Sequence, residues 1–512
     1  MTGLLRKWWK QLISERPWIL AAVLILTGAV LRLLFLEQLP YGLNQDEASA
    51  GYDAWALLSS GMDRNGKSWP VLFVSWGSGQ NVLMSYLSMP FIAILGLRPL
   101  SLRLPNALAG CISLYAMWRF ASRCRGERFG LCALFLLAIN PWHIMASRWA
   151  LESNLLPALL LGACCFLSQA EEKPKALLGA ALCLGLAPYA YGTVFFLLPP
   201  FLIWIAVRLR KSIPVKTALL ALLVFILLIL PIALCQALNL LGGEEIRIGA
   251  VTIPRLFDAR QNATSVFGGG GLGRIRKNIM TLLEILHNGD DRTGYNALPF
   301  WRGGILYFFG LPLAIIGIFV SVREQSRFRK EWSMLALLCC GILCAVLIDG
   351  NINRLNMLWI PMIYFSAAGS VWLIRSLMIR WAVPAAVAVA CLIFFGYQYA
   401  QMFAVPNRTY YSGLGEAIKA AEELSPKALY ITDAVLQPYI YALFYTAPHP
   451  EQFLESAEFK AYPEFGILKV ERFAGFEFRD PEKADLLILD QDDALEQGKD
   501  ILGTYGIYSL CR

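Results

Sequence analysis

From residue 17 to about residue 402, long apolar runs alternate with short polar stretches, and beyond that point the runs cease. The runs fall near 17–36, 103–121, 129–146, 155–170, 175–191, 193–209, 217–239, 301–321, 332–349, 355–374 and 381–402. Crossing a bilayer core takes about 20 predominantly apolar residues in a helix. The pattern therefore predicts about eleven transmembrane helices. One further apolar stretch, Gln80 to Leu97, carries Asn81 and a central Pro90. Counting it as a span would move every later basic loop to the opposite side. It is read instead as a helix lying along the outer face. Two long outer loops follow from this count, at about 37–102 and 240–300. The second holds Asn-Ala-Thr at 262–264, a glycine run at 268–271, and a second interfacial helix expected from Arg274 to His287.

After residue 403 the periodicity shortens. Lys427–Asp433 and Ala484–Asp490 read as short buried strands, and 412–424 and 434–445 as helices. This predicts a small α/β domain at 403–512, outside the membrane, following a transmembrane domain at 1–402.

Charge fixes the orientation of the spans. Arg6, Lys7, Lys10 and Arg16 precede the first, and Arg119–Arg128, Lys173–Lys175, Arg208–Lys216, Arg323–Lys330 and Arg375–Arg380 lie in loops on the same side. Basic loops mark the cytoplasmic face, so the N-terminus is expected inside and the C-terminal domain outside. The first span is not followed by a small-residue cleavage site and is expected to remain as an anchor. At 57% hydrophobic and 16% charged, the chain sits well below the ~25% charged residues of soluble domains. This is the composition of an integral, multi-pass membrane protein. The net charge of +8 lies between apolar spans and does not indicate nucleic acid. Ten of the twelve cysteines fall inside apolar segments and no Cys/His spacing suggests zinc, which argues against a disulfide scaffold or a zinc site.

Candidate chemistry gathers at the outer ends of the spans. Asp46-Glu47 follows the first span. Asn140-Pro141-Trp142-His143 through Arg148 and Glu152 to Asn154 joins two others. Asp349 to Arg354 opens a third, which continues through Trp359 and Pro361. Ionisable residues at membrane depth are costly and usually face a cavity or a partner. An arginine taken singly could equally be an interfacial anchor, but three such groups on one face point to a shared polar site. Tyr52, Trp55, Trp69 and Trp76 could stack on a sugar or anchor the interface. Gln80 and Asn81 could hydrogen-bond a sugar or start their helix. The glycine run lacks the ending of a phosphate loop. Asp490-Gln491-Asp492 reads as a helix cap rather than a metal motif.

In order along the chain, the Asp46-Glu47 pair, the interfacial helix, Leu102-Arg103-Leu104-Pro105-Asn106-Ala107-Leu108-Ala109-Gly110, the Asn140-Pro141…Ser147-Arg148-Trp149-Ala150-Leu151 segment and the Arg354…Pro361 span resemble the GT-C glycosyltransferases. The resemblance is to the branch of protein O-mannosyltransferases and aminoarabinose transferases, and it covers roughly 17–375. It implies a GT-C-like fold. It also implies transfer of a hexose or pentose from a polyprenyl-phosphate donor to an acceptor hydroxyl on the outer face, with inversion. Asp46 would be the general base, with Glu47 orienting the site, supporting the loop or helping to bind a cation. Arg354 would bind the lipid phosphate. Arg148 would touch phosphate or sugar. Tyr52, Gln80, Asn81, Glu152 and His287 would be further substrate contacts, although the spacing of Glu152 is one residue off the family's second acidic position. A divalent cation beside the pair is compatible with this chemistry, but no ligand set is evident. The acceptor could be a protein, a glycan or a lipid. Two alternatives stay open: a polysaccharide polymerase or ligase using lipid-diphosphate donors, and a lipid or sugar transporter.

Overall fold

A computed structural model describes residues 15–256, 265–269, 271–289, 291, 305–378, 380–462 and 467–512. The Asn-Ala-Thr sequence at 262–264, part of the glycine run and the start of the 301–321 run lie outside these residues.

The first apolar run forms α1 (Pro17–Leu33). After a turn comes α2 (Gln45–Ser60), then a hairpin of β1 (Leu72–Ser75) and β2 (Ser78–Asn81), then the short α3 (Leu83–Leu95). The helix expected at 80–97 thus begins three residues later, because Gln80 and Asn81 are taken up in a strand. A long α4 (Pro99–Arg125) follows, and then a span broken into α5 (Glu127–Ala138) and α6 (Pro141–Arg148), bent by 58°. Proline lacks an N–H and clashes with the preceding turn, so the helix stops there. Asn140 caps the new start by accepting from the His143 N–H at 3.0 Å. The carbonyls of Leu137 and Ala138 lose their helical partners at the break, and the buried Arg32 guanidinium donates to both.

Next come α7 (Leu156–Ala170), α8 (Ala176–Ala190), α9 (Val194–Leu209) and α10 (Val215–Leu241). A small hairpin of β3 (Ile246–Ile248) and β4 (Val251–Ile253) leads to α11 (Gly271–Asn288), over the segment where a second interfacial helix was expected. The helical part ends with α12 (Gly310–Arg323), α13 (Gln325–Leu347), α14 (Asn356–Ser376) and α15 (Ala382–Phe403). α12 and α14 touch backbone to backbone at Gly317 and Gly369, where any Cβ would overlap a carbonyl of the facing helix. Small residues permit such close approach in apolar bundles.

Among the described residues, four helical stretches are each long and apolar enough to cross a membrane: 152–170, 215–241, 356–376 and 382–403. The bent pair makes a fifth if counted as one span. Six more apolar helices have 10–17 residues, short of the usual length.

The remainder forms a seven-stranded sheet flanked by α16 (Leu414–Glu423), α17 (Pro438–Thr446) and α18 (Pro450–Ser456). Two strands expected from sequence, β5 (Leu429–Ile431) and β9 (Leu486–Asp490), lie side by side and parallel at its centre. The antiparallel outer strands, β6 (Glu458–Tyr462), β7 (Ile467–Phe473), β10 (Ile501–Tyr505) and β11 (Tyr508–Cys511), and the two-residue β8 (Phe476–Glu477) carry weaker patterns. This part meets the helical part at several places. Tyr41 is held between the Phe403 carbonyl and the Ser412 hydroxyl. α17 packs on α2, where Phe444 meets Gly51.

Candidate active site

α2 starts with a reciprocal cap: the Asn44 side chain accepts from the Glu47 N–H at 2.9 Å, and Glu47 Oε2 accepts from the Asn44 N–H at 3.2 Å. Asp46 and Glu47 are therefore both in the first turn. Neighbours on a helix point about 100° apart, so the pair divides. Glu47 turns inward and is fully buried. Its Oε1 accepts from Arg103 Nε and the Ala150 N–H, both at 3.0 Å. Arg103, also fully buried, spends its remaining donors on the carbonyls of Leu36, Glu37, Pro40 and Gly42. Glu47 is thus a clamp between α2, α4 and the 149–151 turn. Asp46 stays partly exposed.

Beside it opens a cleft of about 180 Å³, lined in part by Asn81, Glu152, Tyr191, Thr193 and Arg354. Each comes from the end of an element, where side chains are free of the bundle's packing. Asn81 ends β2, Glu152 opens a single 3₁₀ turn, Tyr191 caps α8, Thr193 precedes α9, and Arg354 lies just before α14. Asn81 links two walls: its N–H donates to Glu152, and its Nδ2 donates to the Pro188 carbonyl at 2.6 Å. Arg354 is half-buried and gives Nη1 to the Asp349 carbonyl at 3.1 Å. It also interacts with the Tyr191 hydroxyl, which feels the Glu152 and Asp46 carboxylates as well. The Thr193 hydroxyl is buried without a hydrogen-bond partner. Below the cleft, Asn356 accepts from Trp142 Nε1 at 3.1 Å and donates to the Ser153 carbonyl and Asn154 Oδ1, both at 3.0 Å. This fixes the Arg354 and Glu152 walls relative to each other. A carboxylate, an arginine, a tyrosine and a spare hydroxyl on one cleft, with the Asp46 carboxylate near enough to act on Tyr191, can hold an anionic headgroup and take a proton from a hydroxyl.

The other candidates lie elsewhere. Arg148 is buried and donates to the carbonyls of Leu31, Phe35 and Leu39, closing the end of α1. Tyr52 is buried, and its hydroxyl donates to the Pro448 carbonyl at 2.7 Å. Gln80 is buried under α2 and donates to the Asp46 carbonyl at 3.2 Å. His287 is exposed in the last turn of α11, and Trp69 packs on Tyr86. Among the described residues, no three His, Cys, Asp or Glu side chains stand together as metal ligands. In the loop behind α2, burial and then the neighbouring Asp53 push the Asp63 carboxyl up to about 7. Sequence reasoning missed Tyr191 and Thr193. The signal was present: polar residues at the break between two apolar runs are the same feature that drew attention to Arg148 and Arg354.

Residues 80–234 match the dolichyl-phosphate-mannose-protein mannosyltransferase family. This segment contains Asn81, Glu152, Tyr191 and Thr193 but neither Asp46 nor Arg354. No curated protein matches the chain by sequence. The fold is similar to that of ArnT from Cupriavidus metallidurans bound to undecaprenyl phosphate, with a TM-score of 0.55 at 13% identity, over 97% of this chain and 98% of that one. The apo state of the same protein gives 0.53 at 12% identity, over 96% and 97%. The apo oligosaccharyltransferase of Archaeoglobus fulgidus gives 0.50 at 13% identity, over 94% of this chain and 70% of that one. By the segment match and a fold shared along nearly its whole length, the chain resembles the GT-C glycosyltransferases of the protein O-mannosyltransferase and aminoarabinose transferase branch.

Proposed function

We propose that the protein is a glycosyltransferase of the membrane's outer face, moving a hexose or pentose from a polyprenyl phosphate to an acceptor hydroxyl with inversion. The observation that carries this reading is the cleft itself, where Tyr191 lies within electrostatic range of Arg354, Glu152 and the nearby Asp46. Asp46 takes the acceptor's proton. The acceptor oxygen attacks the anomeric carbon while the bond from that carbon to the phosphate oxygen breaks. The leaving polyprenyl phosphate keeps the electron pair, and the Arg354 guanidinium stabilises the growing charge. Tyr191 orients Arg354, and Glu152 faces the sugar. Glu47 acts through the position of Asp46 and not on the substrate.

The same reading puts the N-terminus inside and makes residues 403–512 an outer domain. The test of this proposal is a single comparison: transfer of radiolabelled sugar from a panel of polyprenyl-phosphate sugars by purified, reconstituted protein, wild type against Asp46→Asn. Transfer by the wild type, lost in the variant while donor binding persists, is the expected result. Equal transfer by both removes Asp46 from the chemistry. Lipid translocation without sugar transfer from any donor overturns the enzyme reading.

A further inference from the structure

Under the face of α2 that is turned away from Glu47 lies a buried polar network that none of the chemistry above uses. Its centre is Arg64, 3% exposed, paired with the fully buried Asp53 at 2.7 Å. Arg64 donates through Nη1 to the Ser49 hydroxyl and through Nη2 to the Ser75 hydroxyl, the latter at 2.7 Å. Each hydroxyl then donates to the same atom, Gln80 Oε1, at 3.0 Å. Gln80 Nε2 donates to the main-chain carbonyl of Asp46 at 3.2 Å.

Chemistry makes this chain one-way. Guanidinium has donors and no acceptor, so the serine oxygens must accept from it. Each serine proton is then free to go onward, and only the oxygen end of the Gln80 amide can receive it. With its oxygen fixed by two donors, the amide has one orientation left, with its N–H₂ toward Asp46. The two ends of an amide are nearly alike in shape, and it is the surrounding network that chooses between them. Asp53, Ser49 and Asp46 lie one turn apart along α2, so the network follows the helix to its first turn. Tyr439, from α17, also lies against Arg64.

We infer that Arg64 and Gln80 are positioning residues, a hydrogen-bond relay that fixes the first turn of α2 and with it the Asp46 carboxylate near the cleft. The inference rests on the reading of Asp46 as the base. It assigns no substrate contact to either residue.

The test uses full-length protein in lipid at about pH 8, where a new carboxylate is ionised. Gln80→Glu keeps the shape and still accepts from both serines, but it has no N–H for the Asp46 carbonyl. An added negative charge near Asp46 would if anything make it a stronger base, so lost turnover reports lost position. The relay predicts that kcat falls about tenfold with donor KM unchanged. A second variant, Ser49→Ala with Ser75→Ala, leaves Gln80 intact but releases its orientation, and kcat should fall several-fold, again at constant KM. It carries the test alone if Gln80→Glu does not fold. Wild-type kcat in either folded variant overturns the relay. So does a raised donor KM at unchanged kcat in Gln80→Glu, which would make Gln80 a substrate contact. Asp46→Asn is the control: if that variant keeps full turnover, the base assignment has failed, and the relay with it; if it is inactive while the relay variants are normal, only the relay has failed.

Discussion

Arg148 and Arg354 stand in similar places in the sequence, each at the end of an apolar run and each followed by aromatic and amide side chains, yet the structure uses them differently. Arg148 is buried, and its guanidinium serves three carbonyls at the end of α1. Arg103 and Arg32 are of the same kind, enclosed and held by carbonyls. Arg354 is half-buried on the cleft wall, and one carbonyl and one phenol leave part of its donor set toward the opening. The carboxylates divide the same way: Glu47 is enclosed and Asp46 is not. Burying a charge is costly unless its hydrogen bonds are made inside the protein. A fully enclosed cation has therefore been committed to structure, while one facing a cleft is available to a ligand. Position in the sequence did not separate the two kinds; the count of carbonyls around each did.

Cutting the enclosed set should have the largest effect. Arg103→Met leaves Glu47 charged and buried and strands four carbonyls, a loss of about 3–5 kcal/mol for the pair alone. The expected result is little folded protein, measured by thermal unfolding in detergent. Glu47→Gln should be milder, because Arg103 keeps its carbonyls. A normal melting temperature for Arg103→Met would mean that the clamp is not needed.

The cleft set should respond in activity and not in stability. Arg354→Ala should lower kcat/KM for a polyprenyl-phosphate sugar about 10²–10³-fold, the usual size of losing a charge-stabilising donor, with an unchanged melting temperature. Arg148→Ala should do the reverse, lowering the melting temperature and leaving donor KM alone in whatever protein folds. If the two variants behave alike, burial does not distinguish their roles.

How much of this was legible beforehand follows from the same physics. Apolar runs are read from sequence because burial in lipid imposes a local pattern, and the runs that form α10, α14 and α15 lie within a few residues of those helices. The central strands β5 and β9 were legible for the same reason, being buried on all sides. The edge strands β6 and β10 were not, because Phe459, Lys460, Ile501 and Leu502 lie exposed and carry no clear alternation. Asp46 and Arg354 could be nominated from position, but the partition between Asp46 and Glu47 depends on Arg103, which lies 56 residues further along the chain from Glu47. Tyr191 carried the signal of a polar residue at a break between apolar runs, but its apolar flanks made it look like the end of a span. Arg64 was hidden because a basic residue in a loop ordinarily faces water.

Asp63, in the loop behind α2, makes stability depend on pH. Its carboxyl is raised to about 7 from an ordinary 3.8, burial first and Asp53 second. Between those values the folded protein holds a proton that the unfolded chain has released. Stability therefore falls as pH rises from about 4 through about 7 and is level outside that window. Asp63→Asn cannot titrate and keeps an oxygen for the N–H groups of Asn65 and Lys67. Melting temperature measured from pH 4 to 8 should fall with pH less steeply in the variant than in the wild type. Identical slopes would place the titration elsewhere.

The smallest effect expected is at Tyr52, and it bears most directly on the two kinds of site. As an aromatic residue on the same helix, six residues after Asp46, it has the credentials of a sugar-stacking platform. Its ring is buried beside Trp55, and its hydroxyl reaches across to the Pro448 carbonyl in the C-terminal part. Tyr52→Phe keeps the ring and removes only that bond, leaving a carbonyl without its donor. One such loss costs about 1 kcal/mol. A platform residue would lose nothing by the change, since stacking uses the ring and not the hydroxyl. A contact that hydrogen-bonds the sugar would raise donor KM. A strut between α2 and the C-terminal part would lower the melting temperature slightly and leave donor KM as it was. The enclosed hydroxyl makes the strut the expected outcome, and a raised KM at constant stability would return Tyr52 to the substrate.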